Sequence, residues 1–258
     1  MKAIISAFLI TTTMAHSQVG YYQRTTSGTL YHTYECLPTD VGIFWANSNG
    51  VPFRTFNSLH SNLVARGYQV KFMMNGGIFD EGGIPTGLLI EDGIVRREIN
   101  LRDAKGNFYL KPNGVFYLDA SGAHIVDSSK YISQHIRPVF AIQSGPLLLN
   151  NGIIHKDFNP ASSNRLHRNG VGILPDGNVL FVESEMFQPR LPTLYDFAQF
   201  FRESGCKGAL FLDGDISQHI VLPSTNTLHS NHFGSIIAVF TKDAEHAPPA
   251  GRGEAPRP

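Results

Sequence analysis

The sequence has little charge and no excess of either sign. Charged residues make up 16% of the 258, and 21 Lys and Arg balance 21 Asp and Glu. Without a basic surplus, binding of nucleic acid through bulk electrostatic attraction is not expected. The sequence also lacks an apolar run near the roughly 20 residues that cross a bilayer, so no integral membrane segment is predicted in the mature protein.

Several motifs of common enzyme classes are also missing. The chain has no Gly-rich phosphate loop with Lys-Ser/Thr, no Gly-x-Gly-x-x-Gly, no His-Glu-x-x-His, no Cys-x-x-Cys and no Gly-x-Ser-x-Gly. His229 and His232 have a metal-ligand spacing, but their turn-like surroundings lack a second ligand pair. We therefore predict loop histidines there, and no metal or other cofactor.

Only two cysteines are present, Cys36 and Cys206. A disulfide between them would close a very long loop and stabilise the fold by roughly 4 to 5 kcal/mol in the chain-entropy treatment. Two buried thiols are the alternative, because sequence does not show whether the residues approach each other. If the protein is exported, we predict the disulfide.

The two ends of the chain differ in composition from the rest. Residues 1–17 carry Lys2, an apolar stretch and then small residues, which predicts a secretion signal and a periplasmic or secreted protein. A buried first strand is the alternative. Residues 243–258 are rich in proline with hardly any apolar side chain, which predicts a disordered tail. The folded domain is therefore predicted to span residues 21–242.

Strand signals outnumber helix signals between these ends. Apolar side chains at helical spacing predict two helices, one over 53–66 and one from Thr193 to Gly205. Leu30–Cys36 and Val41–Trp45 are predicted to form a strand pair. Turn dipeptides between apolar runs predict hairpins at Asp92-Gly93, Asn113-Gly114, Asn151-Gly152 and Asp176-Gly177. The predicted fold is α+β, with a mixed, largely antiparallel sheet core and two main helices packed on it.

Polar residues and glycines cluster at four predicted strand ends. Alone, each group is typical of a tight turn with a polar cap. Together they predict a pocket at one rim of a sheet. The four groups are Asn75-Gly76-Gly77, Gln143-Ser144, Arg168-Asn169, and Asp213 through Ser217.

At these residues the sequence resembles the phosphodiester glycosidase domain family, in particular its bacterial secreted branch. The resemblance covers most of the chain, from about residue 31 to residue 240. Five ordered blocks carry it: 72–93, 106–118, 140–155, 168–173 and 195–217. One departure is that Asp215 and Ile216 separate Asp213-Gly214 from Ser217, where the eukaryotic branch has a second glycine.

The resemblance implies hydrolysis of a glycosyl phosphodiester. Ordinary glycosidases need two carboxylates because an alkoxide leaving group must be protonated. A phosphate monoester leaves more readily, so one carboxylate and one cation on the phosphate could suffice. We assign Asp213 as nucleophile or as base for water, and Arg168 as a bidentate phosphate clamp, although Arg168 could also be a surface hairpin charge. Glu183 is the reserve second carboxylate.

The remaining residues of the predicted site bind substrate. Asn75, Gln143 and Ser217 are expected to orient sugar hydroxyls. The amides of Gly76 and Gly77 are expected to act as oxyanion donors. Ser144 and Asn169 complete the set. A non-catalytic periplasmic glycan-binding module stays open as an alternative, as does a hydrolase of a non-phosphate linkage such as an amide or a plain glycoside.

Overall fold

The structure is a computed structural model that describes residues 19–223 and 231–242. The predicted signal, the predicted tail and His229 lie outside these residues. The strands are β1 (Gly20–Thr26), β2 (Thr29–Cys36), β3 (Val41–Phe44), β4 (Tyr68–Asn75), β5 (Phe79–Asp80), β6 (Ile84–Pro85), β7 (Leu89–Glu91), β8 (Ile94–Arg97), β9 (Gly114–Asp119), β10 (Gly122–Asp127), β11 (Phe140–Ser144), β12 (Leu147–Asn150), β13 (Ile153–Ile154), β14 (Asn169–Ile173), β15 (Val179–Ser184), β16 (Gly208–Phe211), β17 (His219–Val221) and β18 (Ile236–Lys242). The α-helices are α1 (Phe56–Ala65), α2 (Ser128–Tyr131) and α3 (Leu194–Glu203).

Three sheets make up most of the fold. Their strand orders are β1-β2-β15-β14-β16-β12-β13, β10-β9-β11-β7-β8 and β17-β4-β18-β3, and β5 and β6 form a small fourth sheet. Every strand pairing within the described residues is antiparallel. The prediction of a largely antiparallel α+β fold is therefore confirmed. The described residues contain three α-helices where the sequence predicted two, because the four-residue α2 is too short to show helical periodicity.

The hairpins follow from local turn chemistry. Asp92 and Gly93 both have positive φ and join β7 to β8, and Asn151 and Gly152 do the same between β12 and β13. These are the backbone angles of a type I′ turn, which matches the twist of the strands it joins. The predicted hairpin at Asn113-Gly114 is wrong, because Gly114 begins β9, which pairs with β10 and β11 and not with the preceding strand β8. The predicted pairing of residues 30–36 with 41–45 is also wrong. A 3-10 turn at Pro38–Asp40 instead carries the chain from β2 in one sheet to β3 in another.

The central core lies between the three large sheets, with side chains from each of them. The two longer helices cover outer faces. Helix α1 packs Phe56, Leu59 and Leu63 against the sheet that contains β4. Helix α3 packs its phenylalanines against the outer face of the seven-stranded sheet. No helix in residues 19–223 and 231–242 has the length and apolar character needed to cross a bilayer.

Cys36 and Cys206 are both free and both buried, so the predicted disulfide is wrong. Cys36 faces the central core, whereas Cys206 belongs to the cluster under α3 on the other face of the seven-stranded sheet. Side chains on opposite faces of one sheet point apart. The alternative of two buried thiols is the one that the structure supports.

Candidate active site

Three strand ends meet through a closed set of hydrogen bonds. The Asp213 N–H donates to Asn169 Oδ1 at 2.9 Å, and Asn169 Nδ2 donates to Asn75 Oδ1 at 3.0 Å. Asn75 Nδ2 donates back to the Asp213 carbonyl at 3.2 Å. We call Asn75, Asn169 and Asp213 the amide triangle. It joins the end of β4, the start of β14 and the segment after β16.

The turn after Asp213 is attached to this triangle. Ser217 Oγ donates to the Asp213 carbonyl at 2.7 Å, and the Ser217 N–H donates to the Gly214 carbonyl. The Gln218 N–H donates to Asn75 Oδ1 at 2.9 Å. The side-chain amides of Asn75 and Asn169 thus already form hydrogen bonds within the protein. Direct contact with a sugar, as predicted for Asn75, would require breaking these bonds, so we regard both residues as supports for Asp213.

The Asp213 carboxyl group has no hydrogen-bond or ion-pair partner among the described residues. Burial and the nearby carboxylate of Asp215 raise the pKa of Asp213 from 3.8 to about 7. A carboxyl group with such a pKa exchanges a proton near neutral pH, which is what a general acid or base requires. Asp213 therefore combines a backbone held by hydrogen bonds with a carboxyl group that has no partner in the described part of the chain.

The two glycines after Asn75 serve close packing. The Gly76 N–H donates to the Ser235 carbonyl, so it is not available as an oxyanion donor, contrary to the prediction. A β-carbon on Gly76 would clash with Ser235, and one on Gly77 would press against Ser144. Ser144 Oγ in turn donates to the Leu212 carbonyl at 2.8 Å. Ser144 therefore ties β11 to the residue before Asp213 and does not face solvent.

Gln143 is not part of the amide triangle. Its side-chain oxygen accepts hydrogen bonds from the N–H groups of Leu88 and Asn100. Its Nε2 donates to the Asn100 carbonyl and to Ser128 Oγ. These four bonds satisfy the whole amide. The side chain holds a loop against β11, and the predicted sugar contact at Gln143 is not supported by this geometry.

Arg168 is only 2% exposed. Its Nε donates to the Pro192 carbonyl at 3.0 Å and its Nη2 to the Asn164 carbonyl at 3.2 Å. Burial lowers the pKa of Arg168 to about 10, which leaves the guanidinium charged. With two of three nitrogens held by carbonyls, Arg168 is not free for the bidentate phosphate clamp that the sequence suggested. The surface-charge alternative is wrong as well, because the side chain is buried.

Glu183 lies between two histidines. His219 Nδ1 is 3.0 Å from Glu183 Oε2, and His167 Nε2 is 3.1 Å from Glu183 Oε1. Burial on its own would raise the pKa of Glu183, but the flanking histidines lower it below its ordinary value. Glu183 is therefore a buried, ionised carboxylate. It faces Asn169 in the β14–β15 register, one strand away from the Asp213 corner.

A cleft of about 390 Å³ opens beside these residues. Of the predicted site residues, Glu183 and Ser217 line it, together with Asp215. Met186 and Phe187 form its apolar rim, and Phe187 is 90% exposed. The other polar lining residues are His32, His167, Glu185, Gln218, His219 and Asn231.

Sequence reasoning missed the histidines of this cleft. His32 bonds Glu185 across 153 residues at 2.9 Å, and His219 reaches Glu183 across 36. Such long-range pairs leave no local signal. His219 did have a local signal in the sequence, because it lies two residues after the predicted site residue Ser217. In the described part of the chain, no group of three or more His, Cys, Asp or Glu has the geometry of a metal site.

Comparison with known proteins identifies the family of the chain. A sequence profile described as phosphodiester glycosidase matches residues 68–244, a span that contains the whole amide triangle. The chain belongs to the phosphodiester glycosidase family. The resemblance on which the predicted roles depend is thereby confirmed, while the roles of individual residues are not tested by it.

One relative and several solved structures resemble the chain. YigE of Escherichia coli K12, described as uncharacterized, is 38% identical over 180 residues, which are 69% of this chain and 68% of YigE. The catalytic domain of zebrafish N-acetylglucosamine-1-phosphodiester alpha-N-acetylglucosaminidase, auto-inhibited by its pro-peptide, has a TM-score of 0.60 at 16% identity, covering 87% of this chain and 84% of that one. A hypothetical protein from Synechocystis has a TM-score of 0.55 at 15% identity, with 85% and 61% covered. At these identities the structures show a shared fold.

Proposed function

We propose that the protein is a hydrolase that releases a sugar from a glycosyl phosphodiester. The observation that carries the proposal is that the family match spans the amide triangle and the Asp213 carboxyl group it supports. Family membership supports a glycosidase-type hydrolase, and the phosphodiester linkage is the finer part of the proposal. A secreted or periplasmic location, on a surface or extracellular glycan, is proposed from the signal-like residues 1–17.

In the proposed reaction Asp213 promotes or carries out the attack on the anomeric carbon of the sugar. Its carboxylate takes a proton from water as the water oxygen bonds to the anomeric carbon, or attacks that carbon directly. The bond from the anomeric carbon to the phosphate oxygen breaks, and a phosphate monoester leaves. Asn75 and Asn169 hold the Asp213 backbone, so that the carboxyl group keeps its place without using its own oxygens.

In this proposal Arg168 acts through its positive charge and does not contact the substrate. Asp215 is the carboxylate that interacts most strongly with its buried charge, and Asp215 lines the cleft. A fixed positive charge that interacts with Asp215 would favour an anionic substrate, since electrostatic interactions are screened less in a buried environment than in water.

A substrate panel tests the proposal. The wild-type protein and Asp213→Asn would be assayed on nitrophenyl phosphodiesters of several sugars, beside plain nitrophenyl glycosides and amides. We expect release from the phosphodiesters alone, and a loss of at least about a thousandfold in kcat for Asp213→Asn with KM largely kept. Cleavage of plain glycosides or amides alone would support the other hydrolase class. Sugar binding without any cleavage, unchanged in Asp213→Asn, would support a glycan-binding module.

A further inference from the structure

His219 offers one ring nitrogen to Glu183 and keeps the other open. Its Nδ1 lies 3.0 Å from Glu183 Oε2. Its Nε2 has no hydrogen-bond partner among residues 19–223 and 231–242. The side chain is 17% exposed and lines the cleft. A carboxylate that fixes one nitrogen and leaves the other accessible is the arrangement in which histidine transfers protons in enzymes.

The ring of His219 is held in position on several sides. His219 opens β17 and pairs with Met74 of β4. Its ring stacks on Phe72 at 6.1 Å between centroids and lies 4.9 Å from the ring of His32. A side chain fixed by a strand, a carboxylate and two rings is pre-organised, as a group that acts on a substrate must be.

We propose that His219, as an imidazolium held by Glu183, binds the phosphate of the substrate and donates its proton to the departing phosphate oxygen. The inference rests on the proposed function. In this scheme Glu183 is a positioning residue, because it touches His219 and not the substrate. The imidazolium supplies the accessible cation that a phosphodiester anion needs, and which Arg168 does not supply in bidentate form.

The cleft lining contains three histidines. Its acidic lining groups are Glu183, Glu185 and Asp215, and its basic ones are histidines. His32 is occupied at both nitrogens, by Tyr21 and by Glu185. The Nδ1 atom of His167 is buried. His219 is therefore the cleft histidine whose free nitrogen an anion can reach.

The proton balance of the step is complete. The Nε2 proton of His219 passes to the bridging oxygen as the bond to the anomeric carbon breaks, and the electron pair of that bond stays with the phosphate. The water oxygen bonds to the anomeric carbon while its proton passes to Asp213. The products are the free sugar and a protonated phosphate monoester. Exchange with solvent then removes the proton from Asp213 and returns one to His219.

Several titratable groups face His219. Glu183 of β15 is its direct partner. His32 of β2 and Tyr21 of β1 lie beside its ring. Asp215 lies on the same cleft wall. Of these groups, Glu183 is the one that a hydrogen bond joins to the His219 ring.

The experiment compares His219→Gln, Glu183→Gln and a matched control, His124→Gln. His124 also pairs with a carboxylate, Asp119 at 3.3 Å, but it lies on β10 outside the cleft. We would measure kcat and KM on a glycosyl phosphodiester. Separately, inorganic phosphate would be titrated calorimetrically against each variant, a readout that needs no turnover. Thermal unfolding would show that each variant is folded.

For His219→Gln we expect kcat to fall about 100-fold and phosphate affinity to drop at least about tenfold. Glu183→Gln should lower kcat and phosphate affinity in the same direction, because it removes the carboxylate that holds the His219 ring, and His124→Gln should match wild type. If His219→Gln does not fold, the kcat and phosphate affinity of a folded Glu183→Gln variant decide. Unchanged kcat and unchanged phosphate affinity would overturn the inference. If the wild type cleaves no phosphodiester, the proposed function fails, and the phosphate titration still decides whether His219 binds phosphate.

Discussion

Hydrogen bonds hold Asp213 through its backbone, and its carboxyl group has no partner among the described residues. Asn169 and Asn75 bind the N–H and the carbonyl of Asp213, and Ser217 adds a second bond to that carbonyl. The carboxyl group lies in a site that burial and Asp215 make unfavourable for a negative charge. A carboxyl group in such an environment titrates near neutrality, and its ionised form lowers the stability of the folded protein.

This arrangement predicts that Asp213→Asn stabilises the fold at alkaline pH. Because the folded-state pKa, about 7, is above the ordinary 3.8, the contribution of Asp213 is full below about pH 4 and is lost as pH rises through 7. Asn does not ionise. The free energy of unfolding of the variant should therefore exceed that of the wild type by about 2 kcal/mol at about pH 8, allowing for partial exposure of the side chain. At about pH 4 the two should differ little. Urea unfolding at both pH values measures it, and an equal effect at both would contradict the assigned pKa.

Arg168→Lys should destabilise the protein even without substrate. Lysine does not reproduce the two directed bonds to the Pro192 and Asn164 carbonyls, so buried acceptors lose their partners. We expect the free energy of unfolding to fall by about 2 to 3 kcal/mol. Arg165→Lys is the matched control, since Arg165 is more exposed. Thermal unfolding compares the two, and similar Tm values for Arg168→Lys and wild type would show that these bonds contribute little.

The residues of the site were predictable to different degrees. Asn75, Asn169, Asp213 and Ser217 stand at strand ends that the apolar pattern reveals, and the structure does bring them together. The burial of Arg168 was not predictable, because it depends on carbonyls of the 164 and 192 regions folding over the side chain. The pairing of Glu183 with His167 and His219 depends on neighbouring strands and sheets, for which the local sequence has no signal.

At the scale of elements, helix α3 depends on its capping box. Thr193 Oγ1 accepts from the Asp196 N–H, and Asp196 Oδ2 accepts from the Thr193 N–H. The helix then buries three phenylalanines against the seven-stranded sheet. Thr193 and Asp196 are three residues apart, so the start of this helix was predictable from sequence alone.

Thr193→Ala should therefore cost about 1 to 2 kcal/mol of unfolding free energy. Thr55→Ala is the control at helix α1, where Thr55 Oγ1 accepts one bond at 3.2 Å without a reciprocal partner. We expect the Thr193 variant to lose more than the control in urea unfolding. Equal losses would mean that the reciprocal bond adds nothing.

Hairpins and strand order show why prediction from sequence reached the fold class and not the arrangement of sheets. A type I′ turn needs only its own two residues, so the Asp92-Gly93 and Asn151-Gly152 hairpins were predictable. The path from β2 to β3 was not, because Pro38–Asp40 is as compatible with a hairpin as with a change of sheet. The choice is made by the central core, which both Cys36 and Val41 face.

For the molecule as a whole, the seven-stranded sheet keeps the two cysteines apart. Burial raises the pKa of both thiols, that of Cys206 to about 12. Neither should react with a thiol reagent at neutral pH while the protein is folded. We expect no labelling by dithionitrobenzoate in the native state, two equivalents after denaturation, and no change of Tm on adding a reductant. A Tm that falls with reductant would indicate a disulfide.

For the whole molecule, the proposed reaction takes place at the anomeric carbon and not at phosphorus. Hydrolysis of a glycosyl phosphodiester in ¹⁸O-labelled water decides this, with the isotope content of the phosphate monoester read by mass spectrometry. We predict an unlabelled monoester from the wild-type protein and no product above background from Asp213→Asn. A labelled monoester would mean that water attacks phosphorus, and would contradict the role assigned to Asp213.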